Sequence, residues 1–215
     1  MKRIIIGLIL FTLISHSCKE SKKNEMEETT DKQILTNWKL ESTTQVTDKE
    51  KAVSSKDFND KNWIDAQLPT TVLRALVKAE VYPDPHFDMN NFKIPDANDE
   101  MNKRFELEGF THLKGIPNPF KDPYWFRTEF MIPKSKQGKK TWLNFDGINY
   151  RADVWLNGTK IADHNDIVGM FTRFKFDISD QVKKEGENVL AVKIHQVDHL
   201  HYYPQILTAH LNEIP

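Results

Sequence analysis

The chain has 215 residues, of which 39% are hydrophobic and 11% aromatic, enough apolar material for one core of roughly 150 to 180 residues. Its 30 Lys and Arg residues nearly balance 31 Asp and Glu residues, and the formal net charge is −1. This balance excludes recruitment to nucleic acid or to an anionic membrane surface through bulk charge. The composition therefore predicts one ordinary folded domain.

The start of the chain has the pattern of an export signal. Lys2 and Arg3 precede a short apolar run over residues 4–14, and the only cysteine of the chain, Cys18, follows shortly afterwards. This position resembles that of the lipidated cysteine of a bacterial lipoprotein. Residues 1–17 are therefore predicted to be a lipoprotein signal peptide, with an ordinary secretory signal as the alternative. The expected product is an exported, membrane-anchored lipoprotein, periplasmic or at the surface of a bacterium, with Cys18 lipidated.

The next segment, residues 18–33, is predicted to be a disordered tether. Between Lys19 and Lys32 its charges are dense and of both signs, and Met26 is its only apolar residue. Such a segment cannot bury enough surface to order itself. The folded domain is expected over residues 34–200.

One short helix is predicted over Thr71–Lys78. Val72, Leu73, Leu76 and Val77 fall on one face at helical spacing, and a proline a few residues later stops the helix. We expect this helix to lie at the periphery and to cover one end of the core.

From Tyr124 onward the apolar period changes from helical to alternating. Phe126, Thr128, Phe130 and Ile132 share one side of a strand, and Arg127 and Glu129 share the other, which predicts a half-buried strand.

Further strands are predicted along the rest of the chain. Asn157-Gly158, a pair that permits the positive φ angles of a two-residue hairpin, joins two of them, and the last is expected over Val189–Val197. The other predicted strands lie at residues 142–145, 152–156, 160–161 and 174–176. Strands at this spacing without intervening helices predict an all-β, antiparallel sandwich.

Several motifs in this region carry a resemblance to a known family. WLNFDGINYRADVWLNG, GMFTRFKFDIS and GENVLAVKIHQVDH resemble the N-terminal domain of glycoside hydrolase family 2, a galactose-binding-domain-like jelly roll. Upstream, LPTTVLRALVKAEVYPDPHFDMNNFKIPD and NPFKDPYWFRTEF resemble its exo-β-D-glucosaminidase and β-mannosidase-like branch. The resemblance spans Trp63–His199. One departure is Thr70, where members usually have glycine.

The resemblance implies a non-catalytic role for this domain. Retaining enzymes of the family use two carboxylates about 5 Å apart, carried on a TIM barrel of roughly 250 residues for which this chain has no room. Asp146, Asp153, Glu129 and Asp177 are interpreted as solvated charges or turn caps. We therefore assign no catalytic residue and expect the chain to be inactive alone.

The resemblance also implies a sugar contact. In such enzymes a loop of the jelly roll helps to shape the pocket for the terminal sugar, and the matching stretch here is PDPHFDMNN. Asp84, Asn90 and Asn91 are the candidate substrate-binding residues, because carboxylates and carboxamides pair well with vicinal hydroxyls. The alternative is that these residues only close a turn.

Two further groups of residues are candidate sites. Trp125, Trp142 and Trp155, and Phe87 in the loop, are candidate stacking platforms for a sugar, although aromatic residues at strand spacing more often belong to the core. His195, His199 and His201 are close in sequence but lack the companion ligands and helical alignment of a metal site. We expect no metal and no cofactor.

The tail, residues 201–215, diverges from the family pattern. A shifted reading frame over residues 201–204 gives a more family-like loop, so one hypothesis is that a frameshift truncated a longer gene. The function predicted is the N-terminal sugar-binding domain of an exported β-glycosidase acting in carbohydrate degradation, truncated before its catalytic barrel. The alternative is a freestanding surface carbohydrate-binding module. The expected partner is a terminal β-linked sugar, with no nucleic acid and with membrane contact through the lipid anchor alone.

Overall fold

The computed structural model describes residues 32–95 and 118–196, together with the backbone of residues 206–214. The signal peptide with Cys18, nearly all of the tether, and His199 and His201 lie outside the described residues. Within the described ranges the chain forms the following strands: β1 Lys32–Ile34, β2 Asn37–Ser42, β3 Ile64–Gln67, β4 Thr70–Thr71, β5 Tyr124–Met131, β6 Lys140–Asn149, β7 Arg151–Leu156, β8 Thr159–Ala162, β9 Phe174–Asp177, β10 Glu187–His195 and β11 Ile206–Ile214. Two α-helices accompany them, α1 Glu50–Val53 and α2 Val72–Lys78.

The strands form two antiparallel sheets. The first has the order β1–β11–β6–β9, with β4 also pairing with β11, and the second has the order β3–β2–β5–β10–β7–β8. Fully buried side chains of both sheets belong to one core, for example Phe145 on β6, Phe126 on β5 and Leu190 on β10. The predicted all-β sandwich with a short peripheral helix is therefore confirmed.

The second sheet is covered on its outer face as well. Val53 and Trp63, from the segment between β2 and β3, pack with Trp125 and Trp155 in a separate apolar cluster. Because this segment lies over the sheet, β5 is not the half-buried strand that the alternation predicted. Its outward-pointing Arg127 is only 1% exposed.

Helix α2 closely follows the prediction. The Thr71 side chain accepts a hydrogen bond of 3.0 Å from the backbone N–H of Arg74 and so caps the helix N-terminus. Val72 and Leu76 of the predicted apolar face are buried, and the helix ends at Lys78. It packs beside β3 and β4 at one edge of the sandwich.

The predicted Asn157-Gly158 hairpin turn is present between β7 and β8. Both residues have positive φ, 52° and 82°, as a two-residue hairpin of this type requires. The Asn157 side chain also ties the turn to β10, because its Oδ1 accepts a hydrogen bond of 3.0 Å from the backbone N–H of Val189. The turn therefore connects β7 to β8 and is also hydrogen-bonded to β10.

Residues after β10 contribute a further strand to the first sheet. The backbone of β11 pairs with β6 along its length and with β1 and β4 on its other side. The prediction that the strand over Val189–Val197 is the last one of the chain is therefore wrong. Within the part of the chain that the structure describes, no helix is long and apolar enough to cross a membrane.

Candidate functional site

The candidate substrate-binding residues lie in one loop that follows α2. Asp84 Oδ1 accepts a hydrogen bond of 2.9 Å from the backbone N–H of His86. Asn90 Nδ2 donates one of 3.1 Å to the backbone carbonyl of Asp84, and Asn90 Oδ1 accepts one of 2.8 Å from Lys93 Nζ. The structure therefore brings Asp84 and Asn90 together and shows that both help to close the loop.

The same loop presents polar and aromatic groups to solvent. The side chain of Asp84 is 62% exposed, Asn91 is exposed on the short 3₁₀ turn Asn90–Lys93, and Phe87 is 72% exposed. Hydrogen bonds from the backbone and side chain of His86 hold the pKa of Asp84 below its usual value. The loop thus offers an ionised carboxylate, an aromatic ring and a carboxamide, on Asp84, Phe87 and Asn91.

Two of the three candidate tryptophan platforms are not accessible. Trp125 and Trp155 are each 3% exposed, beneath the segment that covers the second sheet. Trp142 is half-buried, and the ammonium of Lys175 lies 4.3 Å from the centroid of its ring. Phe87 is therefore the most exposed of the aromatic side chains considered as sugar platforms.

The acidic residues considered as charges or caps have local partners. Glu129 Oε1 accepts a hydrogen bond of 2.6 Å from Arg127, and Asp177 Oδ1 accepts one of 3.0 Å from the backbone N–H of Ser179. Asp146 lies beside an exposed arginine. Asp153 differs from the others, because it is 2% exposed and belongs to a buried ion-pair network. Its interpretation as a solvated charge or turn cap is therefore wrong.

The network around Asp153 joins three strands and a loop. Its Oδ1 lies 3.1 Å from both the backbone nitrogen and Nδ1 of His164, and 3.0 Å from Lys160 Nζ. Its Oδ2 lies 2.7 Å from His195 Nε2 and 3.5 Å from Lys193 Nζ. The two imidazole rings are 4.9 Å apart, centroid to centroid.

These donors explain the ionisation of the buried carboxyl group. Burial alone raises the pKa of Asp153, but the hydrogen bonds from His195, Lys160 and His164 outweigh it and hold that pKa well below its usual range. Asp153 is therefore an anion at the pH of any ordinary environment.

The same residues have the composition of a transition-metal site. One ligand atom from each of Asp153, His164 and His195 lies within 4.8 Å of the others. However, a carboxylate has about four lone-pair directions, and the donors just described already surround it. A metal ion would also face the ammonium groups of Lys160 and Lys193. The charges therefore favour an ion-pair network over a metal centre.

An open pocket of about 270 Å³ adjoins this network. It lies where β5 begins and β10 ends, and its lining is formed by Lys121, Pro123, Arg151, His164, His195 and Gln196. The sequence interpretation singled out His195 but missed Asp153 and His164 as its partners. The sequence did contain one signal, the charged Asp153 within the otherwise apolar stretch ADVWL. In a sheet with one solvated face, this residue would have pointed into solvent.

The two antiparallel sheets around one core place the folded part of the chain in the class of β-sandwich domains. Residues 116–202 match the family described as glycosyl hydrolase 2 galactose-binding domain-like. Over these residues the chain therefore carries the galactose-binding-like domain of glycoside hydrolase family 2.

Relatives with known activities support this assignment. An exo-β-D-glucosaminidase of Streptomyces avermitilis is 33% identical over 160 residues, which are 74% of this chain and 15% of that protein. A mannosylglycoprotein endo-β-mannosidase of Lilium longiflorum is 35% identical over 139 residues, 64% of this chain and 12% of that protein. The crystal structure of an Amycolatopsis orientalis exo-chitosanase is 28% identical with a TM-score of 0.60, covering 76% of this chain and 16% of the other. The chain thus spans a small part of the length of each relative.

Proposed function

We propose that this domain is the N-terminal sugar-binding domain of an exported β-glycosidase of the exo-β-glucosaminidase and β-mannosidase-like branch, acting in carbohydrate degradation. The names of its relatives support the class of substrate, since they include two exo-β-D-glucosaminidases and an endo-β-mannosidase. One solved relative is a complex with PNP-β-D-glucosamine. The ligand proposed here is accordingly a terminal β-linked sugar.

The observation that carries this proposal is the geometry of the loop after α2. Its backbone is closed by the side chains of Asp84 and Asn90, while Asn91 remains exposed. A loop held in this way loses little conformational entropy when it binds a ligand. The Asp84 carboxylate accepts hydrogen bonds from sugar hydroxyls, and a carboxamide both donates and accepts them.

The role of the domain in this proposal is recognition, and the bond cleavage belongs to a separate catalytic domain. Glutamate or aspartate pairs perform hydrolysis in such enzymes at a separation of about 5 Å when configuration is retained. In the described residues the acidic groups discussed above are engaged by Arg127, by turn backbone or by the Asp153 network. The domain alone is therefore expected to bind sugar without hydrolysing it.

Substitution of Asn91 tests the recognition role. Calorimetric titration of the full chain with methyl β-D-glucosaminide and methyl β-D-mannoside is expected to show saturable binding. Asn91→Ala removes an exposed carboxamide that is proposed to contact the sugar. It should weaken binding roughly tenfold, the equivalent of one or two hydrogen bonds. The melting temperature should not change, because Asn91 is exposed.

Asn165→Ala is the matched control, since Asn165 is also exposed but lies in the loop after β8. It should leave the affinity unchanged. Equal effects of the two substitutions, or release of p-nitrophenol from a p-nitrophenyl β-glycoside by the chain alone, would contradict the proposal. Micromolar affinity without any catalytic domain would instead favour a freestanding binding module.

Export through a lipid anchor is a separate part of the proposal and has its own test. When the chain is expressed in a Gram-negative host with radiolabelled palmitate, the wild-type protein should carry the label and sediment with membranes. Cys18→Ser removes the thiol that is acylated and should abolish both. Palmitate incorporation that persists in Cys18→Ser would refute lipidation at this residue.

A further inference from the structure

The pocket beside the Asp153 network is rich in cationic and protonatable groups. Lys121, Arg151, His164 and His195 all line it, and no acidic residue is among its described lining residues. Asp153 lies behind the two histidines and is 2% exposed. A ligand that enters the pocket therefore meets positive charge and hydrogen-bond donors first.

Arg151 is held in place with donors to spare. Its Nη1 donates a hydrogen bond of 2.9 Å to the backbone carbonyl of His164, and its guanidinium lies 5.7 Å from the centroid of the Tyr150 ring. A guanidinium group carries five N–H donors in a planar fork that matches carboxylate and sulfate oxygens. Only one of these donors is used by the His164 carbonyl.

The two histidines are fixed by the carboxylate behind them. His164 uses Nδ1 and His195 uses Nε2 to contact Asp153, so the opposite nitrogen of each ring is not engaged with that carboxylate. When an imidazole is protonated, both of its nitrogens are donors. The protonated pair would then offer two further N–H groups beside Arg151.

An aromatic contact joins the segments that carry the pocket and the candidate sugar loop. Lys121 belongs to the 3₁₀ turn Pro119–Lys121, in which Phe120 packs against Tyr82 with ring centroids 6.1 Å apart. Tyr82 is two residues before Asp84. This contact joins the segment that lines the pocket to the segment that leads into the loop.

We propose that this pocket binds an oxyanion, a sulfate or carboxylate group carried by a glycan, through Arg151, Lys121, His164 and His195. The glycan origin of the anion rests on the proposed function, whereas the anion site itself does not. Inorganic sulfate is therefore the first probe, and methyl β-D-glucuronide and D-glucosamine 6-sulfate are the second. Tighter binding of the two sugars than of sulfate would identify a glycan substituent as the ligand.

The site should be sensitive to pH because of its histidines. The charged groups near them are Asp153 and Arg151 of β7, Lys160 of β8, Asp163 of the loop after β8, Lys193 of β10 with its partner Glu50 of α1, and Lys121. Among these residue types histidine is the one that ordinarily changes its charge between about pH 5 and pH 8. Anion affinity should therefore rise as the pH falls through this range.

The experiment is an NMR titration of the full chain with sodium sulfate, against sodium chloride at matched ionic strength, at pH 5.5 and pH 8. We expect saturable shifts of the His164 and His195 ring signals, with affinity roughly tenfold higher at the lower pH. Lys121→Gln, at an exposed position, should weaken binding about threefold. His195→Gln should reduce the pH dependence, because only His164 of the two histidines remains.

Lys78→Gln on α2 is the control, because it removes one exposed positive charge outside the pocket. It should leave sulfate binding unchanged. The proposal is overturned by the absence of saturable binding at pH 5.5, by equal affinity at both pH values, or by equal effects of Lys121→Gln and Lys78→Gln. If sulfate does not bind while methyl β-D-glucosaminide does, the proposed anion site is wrong and the proposed sugar-binding function is supported.

Discussion

Replacing Asp153 with Asn is expected to lower the free energy of unfolding at pH 7 by about 3 kcal/mol, because removal of one partner from a buried ion pair leaves the others uncompensated. The Asp153 carboxylate is 2% exposed and joins β7, β8, β10 and the loop after β8. Asparagine keeps the volume but removes the charge that Lys160 and Lys193 face. Urea unfolding followed by tryptophan fluorescence measures the change.

Asp65→Asn is the matched control for this substitution. Asp65 pairs with Lys39 at 2.7 Å, but its side chain is 89% exposed. An exposed pair of this kind contributes less than about 1 kcal/mol. Similar losses in Asp65→Asn and Asp153→Asn would contradict a special role for the buried network.

The effect of Asp153→Asn should also depend on pH. The folded protein holds the pKa of Asp153 below its value in the unfolded chain, so the carboxylate stabilises the fold above the unfolded value, about 3.9. That contribution is lost as the pH falls below this value toward the folded pKa. The difference in the free energy of unfolding between wild type and Asp153→Asn should therefore narrow as the pH falls below about 4.

Arg127→Met is the second substitution with a large expected effect, a loss of about 3 to 5 kcal/mol. The guanidinium donates hydrogen bonds to the backbone carbonyls of Val53, at 3.0 Å, and Ser55, at 3.1 Å, and pairs with Asp60 and Glu129. Methionine has similar length but removes all of these donors. Urea unfolding should show the loss.

A second readout separates this effect from general instability. Arg127 anchors the segment that covers Trp125 and Trp155, so its loss should shift their fluorescence emission to the red even without denaturant. Arg127→Lys should restore little of the lost stability, because the ammonium group of lysine cannot replace the several donors of the planar guanidinium group. Arg173→Ala, at a side chain that is 85% exposed, is the control. An unshifted emission spectrum in Arg127→Met would contradict the anchoring role.

Strands β5 to β10 could be located because their signals are local in the sequence. Alternation in β5 and the Asn157-Gly158 turn both reflect backbone requirements that are visible in a few neighbouring residues. Helix α2 was predictable for the same reason, because its apolar residues recur at helical spacing.

Strands β1 to β4 and β11 could not be predicted, because they depend on long-range pairing. Strand β2 pairs with β5, more than eighty residues later in the sequence, and β1 pairs with β11 near the other end of the chain. The burial of Arg127 is of the same kind, since it depends on a covering segment from another part of the sequence. Local periodicity contains no information about such partners.

The candidate site, too, could be predicted only in part. The loop with Asp84, Asn90 and Asn91 could be identified from its resemblance to a family, but its internal hydrogen bonds are seen only in the structure. The meeting of Asp153, His164 and His195 depends on the register of β7 with β10, in which Asp153 pairs with Lys193. A short sequence motif does not specify that register.

The most direct test of the account is to locate the bound sugar on the domain. In an NMR titration of the full chain with methyl β-D-glucosaminide, we predict that the largest backbone amide shifts fall in the loop between Asp84 and Lys93, and that the glycoside remains intact. Shifts centred on the outer face of the first sheet around Trp142, or cleavage of the glycoside by the chain alone, would contradict the account.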